Sequence, residues 1–290
     1  MNNYFNSPKP AYSFEIFPPK GTGSLASVFA TIDELASLSP DLISVTYGAG
    51  GTSRENTVEI ASKIQNSYNI PAVAHLTCVG ATKASLDTIL DKLQANGVSN
   101  ILALRGDLVE GEPLGEFRHA SDLTEYVKKH YNFTVFAACY PEKHPEAPSL
   151  ETDIDNLKKK VDAGADVLIT QLFFSNDDFF RFRDKVRAAG ISTPIETGIM
   201  PITSASQVTR MVNLCGATLP ETIKRKLAAY GHNSMAMKEA GIAYAVEQIS
   251  DLLASETDGI HLYTMNQPSI AKRISESLRG ILYSRRVKCE

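Results

Sequence analysis

"AVAHLTCVGATKASLDTILDKLQANGVSNILALRGD", residues 72–107, contains one complete strand–helix–strand unit, and its reading sets the fold class. A strand-like, mostly apolar run occupies 72–77. Leu86, Ile89, Leu90 and Leu93 then recur at i, i+3, i+4 and i+7, the spacing of one helical face, and Gly97 supplies the stop. A second strand-like run follows at 100–104. Two strands connected through a helix are expected to lie parallel in one sheet.

The same alternation continues on both sides. Further strands are expected at 12–17, 42–47, 133–139, 167–171, 194–198 and 260–264. Ser149 opens a helix whose stripe is Leu150, Ile154, Leu157 and Val161, with Gly164 as its end. Ser175 opens another that runs to Gly190, and a last helix is expected near 268–282. Eight strands with helical connections close naturally into an eight-stranded β/α (TIM-type) barrel, read as a single catalytic domain over 1–290. Residues 219–255 exceed that plan and are expected to form extra helices before the last strand. An open doubly wound sheet is the alternative, because strand count alone does not prove closure.

Composition narrows the function classes. The 290 residues are 43% hydrophobic and 21% charged, with a formal net charge of −4. No basic block points to nucleic acid. The polar start "MNNYFNSPKP" lacks the apolar core of a signal peptide, and no apolar run is long enough to span a bilayer, so a cytoplasmic protein is expected. Cysteines 78, 139, 215 and 289 form no CxxC pair, and the six histidines form no ligand pair, so neither disulfides nor a metal site is expected.

Chemistry in a β/α barrel collects at the C-terminal strand ends. Those ends carry Glu15, Thr46-Tyr47-Gly48, His75 and Thr77, Arg105-Gly106-Asp107, "CYPEKHPE" (139–146), Gln171, "TGIMP" (197–201) and "YTMNQ" (263–267). So many polar or special-backbone ends exceed what a purely structural barrel needs. Each has a plainer reading too: Glu15 could pair with a rim lysine, and His75 could be a satisfied core histidine. Gly106 is read as a place where a ligand approaches the backbone. Asp153, Asn156 and Lys160 share one helical face, which by itself is usually solvated. No GxGxxG follows a strand, and there is no P-loop.

The motifs "SFEIFPPK", "VTYGAGG", "AHLTC", "LALRGD", "YPEKHPEA", "LKKKVDAGAD", "ITQLFF", "GIMPI" and "HLYTMN", in this order from residue 13 to 266, resemble the methylenetetrahydrofolate reductase family in its short bacterial form. The resemblance implies a barrel that holds FAD without a covalent link. It takes hydride from NADH or NADPH and reduces 5,10-methylenetetrahydrofolate to 5-methyltetrahydrofolate by a ping-pong route, supplying methyl groups for methionine synthesis. It implies Glu15 as the general acid that opens the folate ring, and Asp107 as the anion that stabilises the resulting iminium. Surroundings that disfavour a carboxylate's charged form suit such an acid.

By the same resemblance, Gln171, Gln207, Met211, Tyr263 and Gln267 join Glu15 and Asp107 at the substrate. Thr46, His75, Leu104, Arg105, Gly106, Asp107, His119, Ala120, Ala138, Tyr140, His144, Asp153 and Lys160 line the FAD. Three positions depart from relatives: Met211 stands where an aromatic is common, His119 where some have tyrosine, and Gln267 where well-known relatives have arginine. A homo-oligomer is expected. The added regulatory domain of eukaryotic members, which binds S-adenosylmethionine, is not expected. The rivals are another flavin barrel of the proline-dehydrogenase type, a flavin- or folate-binding protein without turnover, and an aldolase or lyase on the same fold.

Overall fold

The computed structural model describes residues 10–19, 23–47, 51–107 and 115–287. The polar N-terminal segment 1–9, Lys20, Gly48, Lys288 and Cys289 lie outside them, as do the side chains of Arg285 and Arg286. In chain order the elements are β1 (Ala11–Ile16), α1 (Leu25–Ala36), β2 (Leu42–Val45), α2 (Gly51–Ser67), β3 (Ala72–Thr77), α3 (Lys83–Ala95), β4 (Asn100–Leu104), α4 (Ala120–His130), β5 (Thr134–Cys139) and α5 (Leu150–Asp162). They continue with β6 (Val167–Thr170), α6 (Asn176–Ala188), β7 (Ile195–Ile199), α7 (Ala205–Cys215), α8 (Glu221–Tyr230), α9 (Ser234–Ala254), β8 (Gly259–Tyr263) and α10 (Pro268–Val287). The strands pair in sequence order and close into a barrel, which removes the open-sheet alternative. The surplus before the last strand is α8 and α9, and β8 has its own helix, α10.

All eight strands form where alternation placed them; β3 and β4 keep the expected bounds, and ends of the others are displaced by at most two residues. Strand ends are set by hydrogen bonding that residue type does not specify. Thr46, expected inside the second strand, follows its end, yet its N–H still donates to Ile16 O at 2.9 Å. Gln171 likewise follows β6 and donates from its N–H to Cys139 O at 2.7 Å.

By their contacts the residues form two compact units, one built on Ser13–Ala138 with Leu157–Leu168, the other on Cys139–Asn156 and the chain from Ile169, together with Tyr12. In the first, Leu86, Leu90 and Leu93 of α3 are buried as their spacing requires, and so are Ile60, Ala61 and Ile64 of α2. Thr82 starts α3 in a reciprocal cap with Ser85, and Gly97, at φ 75°, ends it in a left-handed turn. In the second, Phe179, Phe182 and Val186 bury one face of α6. Ser175 starts α6 through its backbone carbonyl, which accepts from Asp178 N–H at 3.1 Å, rather than through its hydroxyl.

Each unit has an aspartate that stitches neighbouring strands at their N-terminal ends. Asp166, just before β6, accepts from Val135 N–H of β5 at 2.7 Å and from Lys128 Nζ at 2.9 Å. Asp258, just before β8, accepts from Ile195 N–H of β7 at 2.8 Å and from Arg187 at 3.1 Å. The backbone hydrogen bond is the stronger contribution in each case. A buried N–H left without an acceptor costs about 1–3 kcal/mol, whereas an ion pair open to solvent contributes under about 1 kcal/mol.

The barrel wall of the second unit also depends on one missing side chain. Tyr263 passes β7 so that its hydroxyl donates to Thr170 O at 2.7 Å. A Cβ on Gly198 would lie 2.3 Å from that carbonyl oxygen and 2.6 Å from the Tyr263 hydroxyl. Nothing larger than glycine fits without moving backbone.

Two stability outcomes follow, both read from urea denaturation midpoints. Asp258→Ala should lower unfolding free energy by about 2 kcal/mol, clearly more than Asp258→Asn, which keeps an oxygen to accept from Ile195 N–H and loses only the ion pair, at under about 1 kcal/mol. Gly198→Ala should cost about 2 kcal/mol or more through overpacking, while Tyr263→Phe, which removes one hydrogen bond, should cost about 1 kcal/mol. Equal effects within either pair would contradict the assignment.

Candidate functional site

Within the first unit, Glu15 and His75 meet: Glu15 Oε2 lies 3.5 Å from His75 Nε2. Their strands are separated by β2, with Glu15 in register with Ser44. Strands two places apart stand nearly 10 Å from each other, so the two side chains reach this distance only by both pointing into the barrel. The His75 side chain is 6% exposed and that of Glu15 18%, so the pair is enclosed but open to solvent on the carboxylate side.

The turn after β3 organises the neighbouring candidates. Cys78 N–H donates to Leu104 O at 3.1 Å and Val79 N–H to Arg105 O at 2.8 Å, fixing the backbone beyond β4. Gly106 then adopts φ 90°, and a Cβ there would sit 2.7 Å from Val79 Cγ1 and 3.1 Å from Thr77 Cβ. The glycine is therefore required by its own backbone conformation and by these two side chains. The turn leaves Asp107 exposed.

The Cys78 thiol donates to His119 O at 3.5 Å, and burial pushes that thiol up to about 11. His119 starts α4. Asp122 accepts from Arg118 N–H at 2.8 Å and His119 N–H at 3.0 Å. The N–H groups of Ala120 and Ser121 have no acceptor among the described residues. The His119 side chain itself is exposed.

Two other positions of this unit are fixed through backbone oxygens. Thr46 O accepts from the Thr57 hydroxyl at 2.9 Å. Lys160 Nζ reaches back from α5 to donate to Ala138 O at 2.9 Å.

The second unit holds the remaining candidates. Asp153 of α5 accepts from His144 N–H at 2.8 Å, so both ends of the Asp153–Lys160 stripe serve strand-end segments instead of facing only solvent. Asn156, between them, is exposed. His144 Nδ1 accepts from Glu146 N–H at 3.1 Å, and its ring stands edge-on to Tyr140 with centroids 4.8 Å apart.

Gln207 lies in the first turn of α7, with Oε1 accepting from both the N–H and hydroxyl of Thr203 at 2.7 Å. Met211, one turn on, and Tyr263 pack against the same apolar cluster, which includes Leu172, Met200 and Ile202. Gln171 Oε1 accepts from Leu172 N–H at 2.8 Å. Gln267 acts through its backbone carbonyl, which accepts from Ile270 N–H at 3.0 Å to start α10. Before it, Met265 and Asn266 stand at φ 54° and 52°, two successive left-handed residues that are uncommon outside glycine.

Several groups escaped the sequence reading. Glu196 and His261 form a second carboxylate–imidazole pair at 3.4 Å with both side chains fully buried. Nothing local in "IETGI" distinguishes Glu196 from a solvent-facing strand residue, and its partner lies far along the chain. The hydrogen bonds of Asp122 and Glu142 depend equally on distant or loop-specific geometry. A cleft of about 720 Å³ between the start of α6 and helices α8 and α9 is lined by Asn176, Arg225, Tyr230, Tyr244 and Asp251, among others, but by none of the strand-end candidates. Among the described residues, no three His, Cys, Asp or Glu side chains are grouped to hold a metal ion, and no helix is long and apolar enough to cross a membrane.

A sequence model of the methylenetetrahydrofolate reductase family matches residues 1–279. Methylenetetrahydrofolate reductase (NADH) 1 of Arabidopsis thaliana is 38% identical over 288 residues, covering 94% of this chain and 48% of that protein. The 5,10-methylenetetrahydrofolate reductase of Escherichia coli is 36% identical over 266 residues, covering 92% of this chain and 90% of the bacterial protein. The chain thus spans about half the length of its plant and yeast relatives and about nine-tenths of its bacterial ones. Among solved structures, a Clostridium thermocellum protein described as binding two copies of 5-methyl-5,6,7,8-tetrahydrofolic acid superimposes with a TM-score of 0.62, covering 97% of this chain and 98% of that one. At 14% identity, that likeness is one of fold. Match along nearly its whole length and identity well above 30% place this chain in the methylenetetrahydrofolate reductase family.

Proposed function

We propose that this protein reduces 5,10-methylenetetrahydrofolate to 5-methyltetrahydrofolate, consuming NADH or NADPH and one proton. The observation that carries the reading is the Glu15–His75 pair, a carboxyl group inside the barrel at the C-terminal end of β1 with limited access to solvent. Ring opening of the folate requires a proton at the departing nitrogen. Glu15 delivers that proton as the carbon–nitrogen bond breaks, with His75 Nε2 standing 3.5 Å from its Oε2. Asp107, exposed after β4, supplies negative charge to the cationic iminium left on the folate. Gln207, Met211 and Tyr263 bound the substrate side, with Gln171 and Gln267.

The residues present fit FAD by the chemistry of their donors. Arg105, His144 and Lys160 offer cationic or N–H donors suited to pyrophosphate and ribose. The first-turn N–H groups at Ala120 and Ser121, without an acceptor among the described residues, suit an anionic oxygen. Thr46, His75, Leu104, Gly106, His119, Ala138, Tyr140 and Asp153 complete the wall. When bound, FAD supplies the hydride chemistry that no side chain can provide. NADH is the reductant in the name of the Arabidopsis relative, and we assign it here. The setting we assign is cytoplasmic one-carbon metabolism feeding methionine synthesis, in a homo-oligomer.

Two half-reactions test the assignment. Purified protein should be yellow, bleach anaerobically with NADH and recover its colour with methylenetetrahydrofolate. Glu15→Gln should keep NADH oxidation by an artificial acceptor within about threefold of wild type while lowering folate reduction by 10²-fold or more, the order expected for losing a general acid. Parallel loss of both half-reactions would remove Glu15 from the acid role. A colourless protein that cannot take up FAD would overturn the function.

A further inference from the structure

Glu142 sits between Tyr140 and His144, on the segment proposed for the cofactor, but its carboxylate turns toward another part of the second unit. Both of its oxygens accept from Thr218 N–H, at 3.1 and 2.9 Å. Thr218 lies just past α7, the helix that carries Gln207 and Met211. The two segments also approach beside this bond: Gly216, which ends α7 at φ 70°, has Pro145 Cγ 3.9 Å from where a Cβ would stand.

The α7 helix is held at three places. At its start, Ser204 caps Gln207 N–H at 3.2 Å and Gln207 holds Thr203. Along its side, Val208, Met211, Val212 and Cys215 join the apolar cluster. At its exit, Glu142 holds Thr218. The Glu142 end is equally well braced. Lys143 takes φ 89°, its N–H donates to Tyr140 O at 3.2 Å, its Nζ donates to Ala147 O at 2.9 Å, and His144 N–H is bound by Asp153. Burial pushes the Glu142 carboxyl up from the ordinary glutamate range, while the Thr218 bonds and nearby Arg181 pull it back.

We infer that Glu142 is a positioning residue, a strut that fixes the substrate-side helix α7 against the cofactor-side segment 139–149. This rests on the proposed function, since it takes its two ends to be the folate and flavin sides of one reaction. Glu142 has no part in the proton or hydride chemistry. Without it, Met211 and Gln207 should be less well placed for folate, while the segment bearing Tyr140 and His144 keeps its own internal bonds.

The test uses the full chain with FAD, comparing wild type, Glu142→Ala and Glu142→Gln. Amide hydrogen exchange at Thr218 should be at least about tenfold faster in Glu142→Ala, the scale of one lost charge-assisted hydrogen bond. The KM for methylenetetrahydrofolate should rise by about tenfold as well. Flavin content and NADH oxidation by an artificial acceptor should stay within about twofold of wild type. Glu142→Gln, whose amide oxygen can still accept from Thr218 N–H, should recover much of both losses. Unchanged Thr218 exchange overturns the strut. Faster exchange with unchanged folate KM overturns its positioning role, and a parallel fall in flavin content and both half-reactions makes it a general structural contact instead. A wild-type protein that binds FAD but reduces no folate defeats the proposed function and the positioning role with it; the exchange comparison, which needs no turnover, still decides whether the strut exists.

Discussion

Two aspartates at the N-terminal ends of even-numbered strands, Asp166 and Asp258, limit how far one strand can slide along its neighbour. Each holds a backbone N–H at the start of the preceding strand, that of Val135 at 2.7 Å and that of Ile195 at 2.8 Å, and so fixes the register from which the opposite strand ends are reached. A slip of one residue in a pleated strand exchanges its two faces. In β7 such a slip would bring Ile195 to where Glu196 meets His261 and would turn a carboxylate toward apolar packing. The positions of Gln171 and Tyr263, each a strand length away from one of these aspartates, are consequences of bonds made at the other end.

The alternation of strand and helix was legible because each helix carries its stripe and its stop in local sequence. Leu86, Leu90 and Leu93 with Gly97, or Ile154 and Leu157 after Ser149, needed no tertiary information. Strand ends were less so, since Thr46 and Gln171 continue the ladder by single hydrogen bonds to other strands. The positions of the candidate site residues came from motifs, but motifs do not say what a side chain touches. Glu15 beside His75 was not visible, because the contact bridges an intervening strand. The crowding of Gly106 was hidden for a related reason: Thr77 and Val79, which would meet a Cβ there, belong to a different βα turn.

The protein contains the same chemical pair twice, in different settings. Glu196 and His261 are sealed from solvent, where removing one partner would strand the other's polarity in the interior. Glu15 and His75 are nearly as close, but the carboxylate retains a path to solvent. A proton that must be replaced in every catalytic cycle can be exchanged only at such a place. Access to solvent, rather than residue identity, distinguishes the two pairs. The same reasoning favours strand-end positions over strand interiors as the locus of function.

Two of the three buried thiols among the described residues add a separate property. Burial holds Cys78 and Cys215 near 11, so only about one in several thousand of either would be ionised slightly above neutral pH. It is the thiolate that reacts with peroxides and disulfides. The sulfurs of Cys78 and Cys215 are thus held in the form that reacts slowly with such oxidants. Both cysteines behave as small apolar packing units.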